Sequence, residues 1–178
     1  MIDRIRTTFA RIWRDEDGNS SVEFIIAFPL YFALLVMSLE LSMITLRHTM
    51  LERGLDIAVR ELRLGTGSAP QHDDIKQIIC DNALVISKCE TSLRLEMVPT
   101  NIRSFTALDD DVDCTDKSAE SNPVKAFVPG QQNALMLLRA CLKYDPIFPK
   151  WDLARALSTD AAGQISIVSK TAFVQEPL

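Results

Sequence analysis

Histidine and glycine are scarce in this 178-residue chain: it has two histidines, His48 and His72, and six glycines. No two of its four cysteines are separated by just two residues. Without a Ser or Cys nucleophile placed beside a histidine, a Gly-rich phosphate loop or zinc-type ligand spacing, the sequence offers no visible catalytic machinery. A zinc centre is also disfavoured, because such sites draw on closely spaced Cys and His pairs. Positive charge is not in excess either. Lys and Arg number 19 against 24 Asp and Glu, for a net charge of −5, which removes the basic footprint expected of a nucleic-acid partner. The length suits one modest domain plus a membrane segment.

What the chain does have is a long apolar run, "VEFIIAFPLYFALLVMSLELSMITL", Val22 to Leu46. Phe24 to Leu39 carries no charge, and Glu40 is the sole charged residue from there to Leu46. At about 1.5 Å per residue such a helix covers roughly the 30 Å of a hydrocarbon core. A secretory signal peptide is the rival reading, but the run is long for one and no A-x-A-like cleavage site follows it. Four arginines lie on each flank, so Lys/Arg bias does not orient the span. All four cysteines follow the run, and their even number on one side points to disulfides in an oxidising compartment, with the N-terminus cytoplasmic.

An acidic residue abutting a span is a functional hypothesis in itself. Glu23 stands at the start of the run, five residues after Gly18 and behind a short Arg-bearing leader, "MIDRIRTTFARIWRDEDG", whose apolar residues fall near helical spacing. The plain readings are an interfacial carboxylate and a turn glycine. The arrangement resembles the prepilin signature of type IV-like pilins, in which a membrane peptidase cuts after the glycine. More closely, "GNSSVEFIIAFPL" looks like the start of the TadE/TadF-like minor pilins, or pseudopilins, of the tight-adherence (Tad/Flp) pilus. The EF pair Glu23–Phe24, Pro29 six residues on, and the tail "KTAFVQEPL" carry the likeness. The resemblance covers the first fifty or so residues well and does not separate TadE, TadF and TadG-like roles.

The resemblance implies processing between Gly18 and Asn19 by a prepilin peptidase. The carboxylate of Glu23 would then pair with the new α-amine of its own or a neighbouring subunit, since a buried charge is tolerable when paired and hydrogen-bonded. Glu23, Phe24 and Pro29 would set the register of the helix among other pilin helices. Pro29 is expected to bend the span rather than end it. Implied partners are other pilin and pseudopilin subunits, the prepilin peptidase, the inner-membrane assembly platform and membrane lipid, with no cofactor and no nucleic acid.

Beyond the run, Leu51, Leu55, Ala58 and Leu62 recur at helical spacing among charged residues, so an amphipathic extension should pack on a soluble domain and end at "GTGSAP". Within that domain "DDIKQIICDNAL" reads as a helix, "TSLRLEMVP" as an alternating strand, "NALMLLRACLKYD" and "GQISIVSKTAFV" as two more strands, and "WDLARAL" as a helical turn or two. The expected fold class is α+β: a long helix, transmembrane then amphipathic, on a small antiparallel sheet. The expected divisions are 1–18 leader, 19–64 helix and 65–178 extracytoplasmic domain.

Of the three connectivities open to four cysteines, Cys80–Cys89 and Cys114–Cys141 are preferred, the first closing a short helix-to-strand loop. In the polar stretch 107–123, Asp109, Asp111 and Asp113 are calcium candidates, although the glycine and final glutamate of an EF-hand loop are missing and a solvated loop is the plainer reading. Function is expected to be non-enzymatic: a minor pilin in Tad pilus assembly and surface attachment, at the bacterial inner membrane or in an extracellular pilus. The alternative is an unprocessed, signal-anchored periplasmic binding or scaffolding protein. In either, an exposed sheet edge could take up a partner strand.

Overall fold

The computed structural model describes residues 20–64, 71–101, 103–104, 112, 114, 127–157 and 162–176. Gly18, Asn19, Asp109, Asp111 and Asp113 lie outside them. Two units divide the chain, residues 1–39 and 40–178.

A single helix, α1 (Ser20–Leu64), runs for 45 residues. It continues through Pro29, whose missing N–H deprives the Ile25 carbonyl of its helical donor without ending the helix. In the first unit most of its apolar side chains are exposed, Ile26 at 73% and Leu30 at 68%, while Val36 is buried. In the second unit the periodic residues turn inward. Leu51, Leu55, Ala58 and Leu62 are all buried, as their spacing requires of a stripe facing a core.

That core is shared with three strands, β1 (Leu93–Thr100), β2 (Leu135–Tyr144) and β3 (Ile165–Val174), ordered β1-β2-β3 and antiparallel throughout. Alternation sorts each strand into two faces. Leu93, Leu95 and Met97 of β1, Met136, Leu138, Ala140 and Leu142 of β2, and Ile165, Ile167 and Phe173 of β3 fill the core with the α1 stripe. The opposite face carries Arg94, Glu96 and Val98 beside Cys141, Arg139 and Leu137 in register. β2, the middle strand, is the most buried, and for this reason it alternates least in hydropathy.

Between α1 and β1 lie α2 (His72–Asn82) and the short α3 (Cys89–Ser92). At the start of α2 the Gln71 amide donates to the Asp74 carboxylate at 2.9 Å, which meets one of the donors a helix N-terminus leaves unsatisfied. Ile75 and Ile79 of α2 enter the core. Gly54 of α1 lets the two helices meet: a Cβ there would stand 2.7 Å from the Ile79 carbonyl oxygen. The six-residue α4 (Asp152–Leu157) follows β2.

Both disulfides form, Cys80–Cys89 across nine residues and Cys114–Cys141 across 27. Closing loops of these lengths removes about 2.6 and 3.5 kcal/mol of chain entropy from the unfolded state. Cys141 sits on the non-core face of β2, so residue 114 is held against that face.

Candidate functional site

The first turn of α1 carries Glu23 as its acidic residue, a favourable place for a negative charge beside the positive end of the helix dipole. Glu23 and Phe24 are both exposed. Phe24, Phe28 and Phe32 then stack along one face at four-residue steps, with ring centroids 5.0 and 5.8 Å apart. Such spacing is what i, i+4 neighbours on a helix produce. The ladder passes Pro29 without a break. Polar side chains further along are satisfied locally: the hydroxyls of Ser38, Thr45 and Thr49 donate to the carbonyls of Leu35, Leu41 and Thr45 at 2.8 to 2.9 Å. These internal bonds are the form in which hydroxyls are tolerated in or near hydrocarbon.

Glu40 closes the charge-free stretch, and it is 2% exposed. Its two carboxylate oxygens accept backbone N–H bonds from Ile147 and Phe148, at 3.2 and 3.1 Å. Two N–H donors aimed at an ionised acceptor give charge-assisted bonds that offset the cost of burying it. Nothing near Glu40 in the sequence announces these partners, which lie 107 and 108 residues away. The interruption of an apolar run by one acidic residue was the available signal.

Two turns further, the Arg47 guanidinium lies 4.3 Å from the centroid of the Tyr144 ring, a cation–π contact. Burial raises the Tyr144 hydroxyl above the ordinary tyrosine pKa, with the Glu40 charge acting in the same sense and Arg47 against it. His48 Nε2 is 3.4 Å from the Val168 carbonyl oxygen of β3. On the far face of the sheet Arg139, 2% exposed, donates from Nε to Glu96 at 2.9 Å and from a terminal nitrogen to the same carboxylate oxygen. These two residues are cross-strand partners in the β1–β2 register. At the other end of α1 a groove of about 750 Å³ runs between Arg60 and Arg63 and the β3 residues Thr171–Val174. Arg63 meets Glu176 at its rim, at 3.2 Å.

The structure therefore places the sequence-derived residues in separate neighbourhoods. Glu23, Phe24 and Pro29 share the outward-facing helix, and the four cysteines form two staples in the second unit. Among the described residues no cluster of His, Cys, Asp and Glu could hold a metal ion.

An outward-facing apolar helix, long enough to cross a membrane, joined in one chain to a disulfide-stapled α+β domain defines a candidate membrane-anchored protein. Residues 18–60, from Gly18 through most of α1, match the family model of TadE-like proteins, so over that segment the chain is similar to them. No curated protein and no solved structure matches the chain.

Proposed function

We propose that the protein is a minor pilin, or pseudopilin, of a Tad-type (Flp) pilus, processed after Gly18 and assembled through its N-terminal helix. The observation that carries this reading is the coincidence of the TadE-like match, which begins at Gly18, with an outward-facing apolar helix bearing a single carboxylate in its first turn. Cleavage would give Asn19 a free α-amine, and Glu23, four residues further along the sequence, would pair with the amine of its own or an adjacent subunit. That pairing keeps a carboxylate among apolar helices from standing uncompensated. The phenylalanine ladder supplies the apolar surface on which neighbouring helices rest.

In this reading residues 1–18 are a cytoplasmic leader, the helix spans the inner membrane, and residues 65–178 fold outside the cytoplasm, where the two disulfides persist. The partners are a prepilin peptidase, the membrane assembly platform and other pilin subunits, and the outcome is attachment of the cell to surfaces.

Intact mass and N-terminal sequence of the protein from its native membrane test the proposal. A chain beginning at Asn19, and at Met1 in a Gly18→Leu variant, is the expected result. A wild-type chain beginning at Met1 in a cell with an active prepilin peptidase would leave an anchored periplasmic scaffold instead. Glu23→Gln should be cleaved and inserted normally yet recovered poorly from sheared pili.

A further inference from the structure

The segment between β2 and α4, "DPIFPKW" from Asp145 to Trp151, is apolar and aromatic in an unusual place for a surface loop. Ile147 is 45% exposed, Pro149 and Lys150 are exposed, and Phe148 and Trp151 are partly so. The loop is nevertheless well defined. Asp145 accepts from the Gln164 amide at 2.8 Å, the Trp151 N–H donates to the Phe148 carbonyl at 3.1 Å, and the Phe148 and Trp151 rings lie 6.3 Å apart. Above all, the carboxylate of Glu40 holds the backbone of Ile147 and Phe148.

Glu40 fixes where that loop stands along α1. The charge-free stretch Phe24–Leu39 has sixteen residues, or about 24 Å of helix, several ångströms short of a hydrocarbon core of about 30 Å. A bilayer centred on that stretch brings its outer boundary to Glu40 and therefore to Ile147 and Phe148. The residues found there are those an interface selects: a tryptophan with a polar N–H, an aliphatic and an aromatic side chain, and cations at Lys150 and Arg155 that can reach the headgroups. The two N–H bonds also explain how a carboxylate is tolerated at that depth, since it enters already hydrogen-bonded.

We propose that residues 145–151 are a membrane-contacting loop, with Ile147, Phe148 and Trp151 seated in the lipid interface of the same bilayer that α1 crosses and Glu40 as the positioning residue that sets their depth. The ligand is a phospholipid surface, recognised through its acyl–headgroup boundary. The inference rests on the membrane-anchored reading of α1.

The chain has two tryptophans, Trp13 and Trp151, so a Trp13→Phe variant leaves Trp151 as the sole reporter. The full chain is reconstituted in phosphatidylcholine vesicles, with and without lipids brominated near the headgroup end of their acyl chains. A second protein, with both tryptophans changed to Phe and Leu30→Trp added, reports on the span itself. Both reporters are expected to emit at shorter wavelength than in detergent-free unfolded protein and to lose intensity with brominated lipid, Trp151 to shallow bromine most strongly. Ile147→Asp in the first protein should weaken the quenching of Trp151. A quenched Leu30→Trp beside an unquenched Trp151 would overturn the loop proposal while leaving the anchor intact. If neither reporter is quenched, the anchored reading falls and the loop proposal with it.

Discussion

The Ile79 carbonyl oxygen of α2 occupies the space a side chain on Gly54 of α1 would need: a Cβ at residue 54 would lie 2.7 Å from it. Glycine is therefore a packing residue in the middle of a helix where propensity alone would favour alanine.

Gly54→Ala tests this directly. Alanine gains up to about 1 kcal/mol in helix propensity, whereas overpacking against backbone costs about 1–3 kcal/mol, so the close contact should win. Denaturant unfolding of the detergent-solubilised chain should show a lowered midpoint. A raised midpoint would mean that α2 shifts away freely.

Removing the carboxylate at Glu40 should loosen the β2–α4 loop. Hydrogen bonds to a charged acceptor contribute about 1.5–3 kcal/mol each, so Glu40→Ala is expected to cost several kcal/mol. Glu40→Gln, which keeps one acceptor oxygen but faces the second N–H with a donor, should cost less. Hydrogen exchange at the Ile147 and Phe148 amides gives the local readout, and both should lose protection together.

The Glu96–Arg139 pair should show the asymmetry of a buried ion pair. Glu96→Ala takes the Glu96 carboxylate from a guanidinium that is 2% exposed, an expected loss of about 3 kcal/mol. Replacing both, as Glu96→Leu with Arg139→Met, should recover most of that loss, because well-packed apolar residues often match such a pair. A double-mutant cycle by urea unfolding measures the coupling, and simple additivity would show the pair to be energetically idle.

Tyr144 gives the chain an alkaline sensitivity with a definite sign. Its pKa is raised in the folded protein by burial, so the native state holds this proton more tightly than the unfolded one. The contribution is fully present below the ordinary tyrosine value of about 10 and is lost as pH rises through the raised one. Tyr144→Phe should flatten that part of the stability–pH curve relative to the unmodified chain, as read from unfolding midpoints on either side of pH ~10.

Much of this architecture is legible in the sequence because it is periodic. Leu93, Leu95 and Met97 alternate with Arg94 and Glu96 and form β1 as read, and the stripe from Leu51 to Leu62 packs as its helical spacing requires. The short loop between Cys80 and Cys89 favoured the pairing found. The outward-facing helix was legible from its composition. What stayed hidden depends on long-range meetings between single residues. Glu40 stood out only as the one charge in the later part of the apolar run, and its bonds to Ile147 and Phe148 come from chain folding that brings residues more than a hundred apart together. Gly54 has no turn or cap signal, since its role arises from a neighbouring helix's backbone. The Arg139–Glu96 pair needed the strand register, which alternation alone does not fix.

The Cys114–Cys141 bond has a consequence for how the protein would look after proteolytic damage. A protease that severs any peptide bond between those two cysteines yields two fragments that stay covalently joined. On a gel run without reductant the nicked molecule would migrate near the intact one, and reductant would release a piece ending in the severed segment. Such a cut would thus stay concealed until the sulfur bridge is opened.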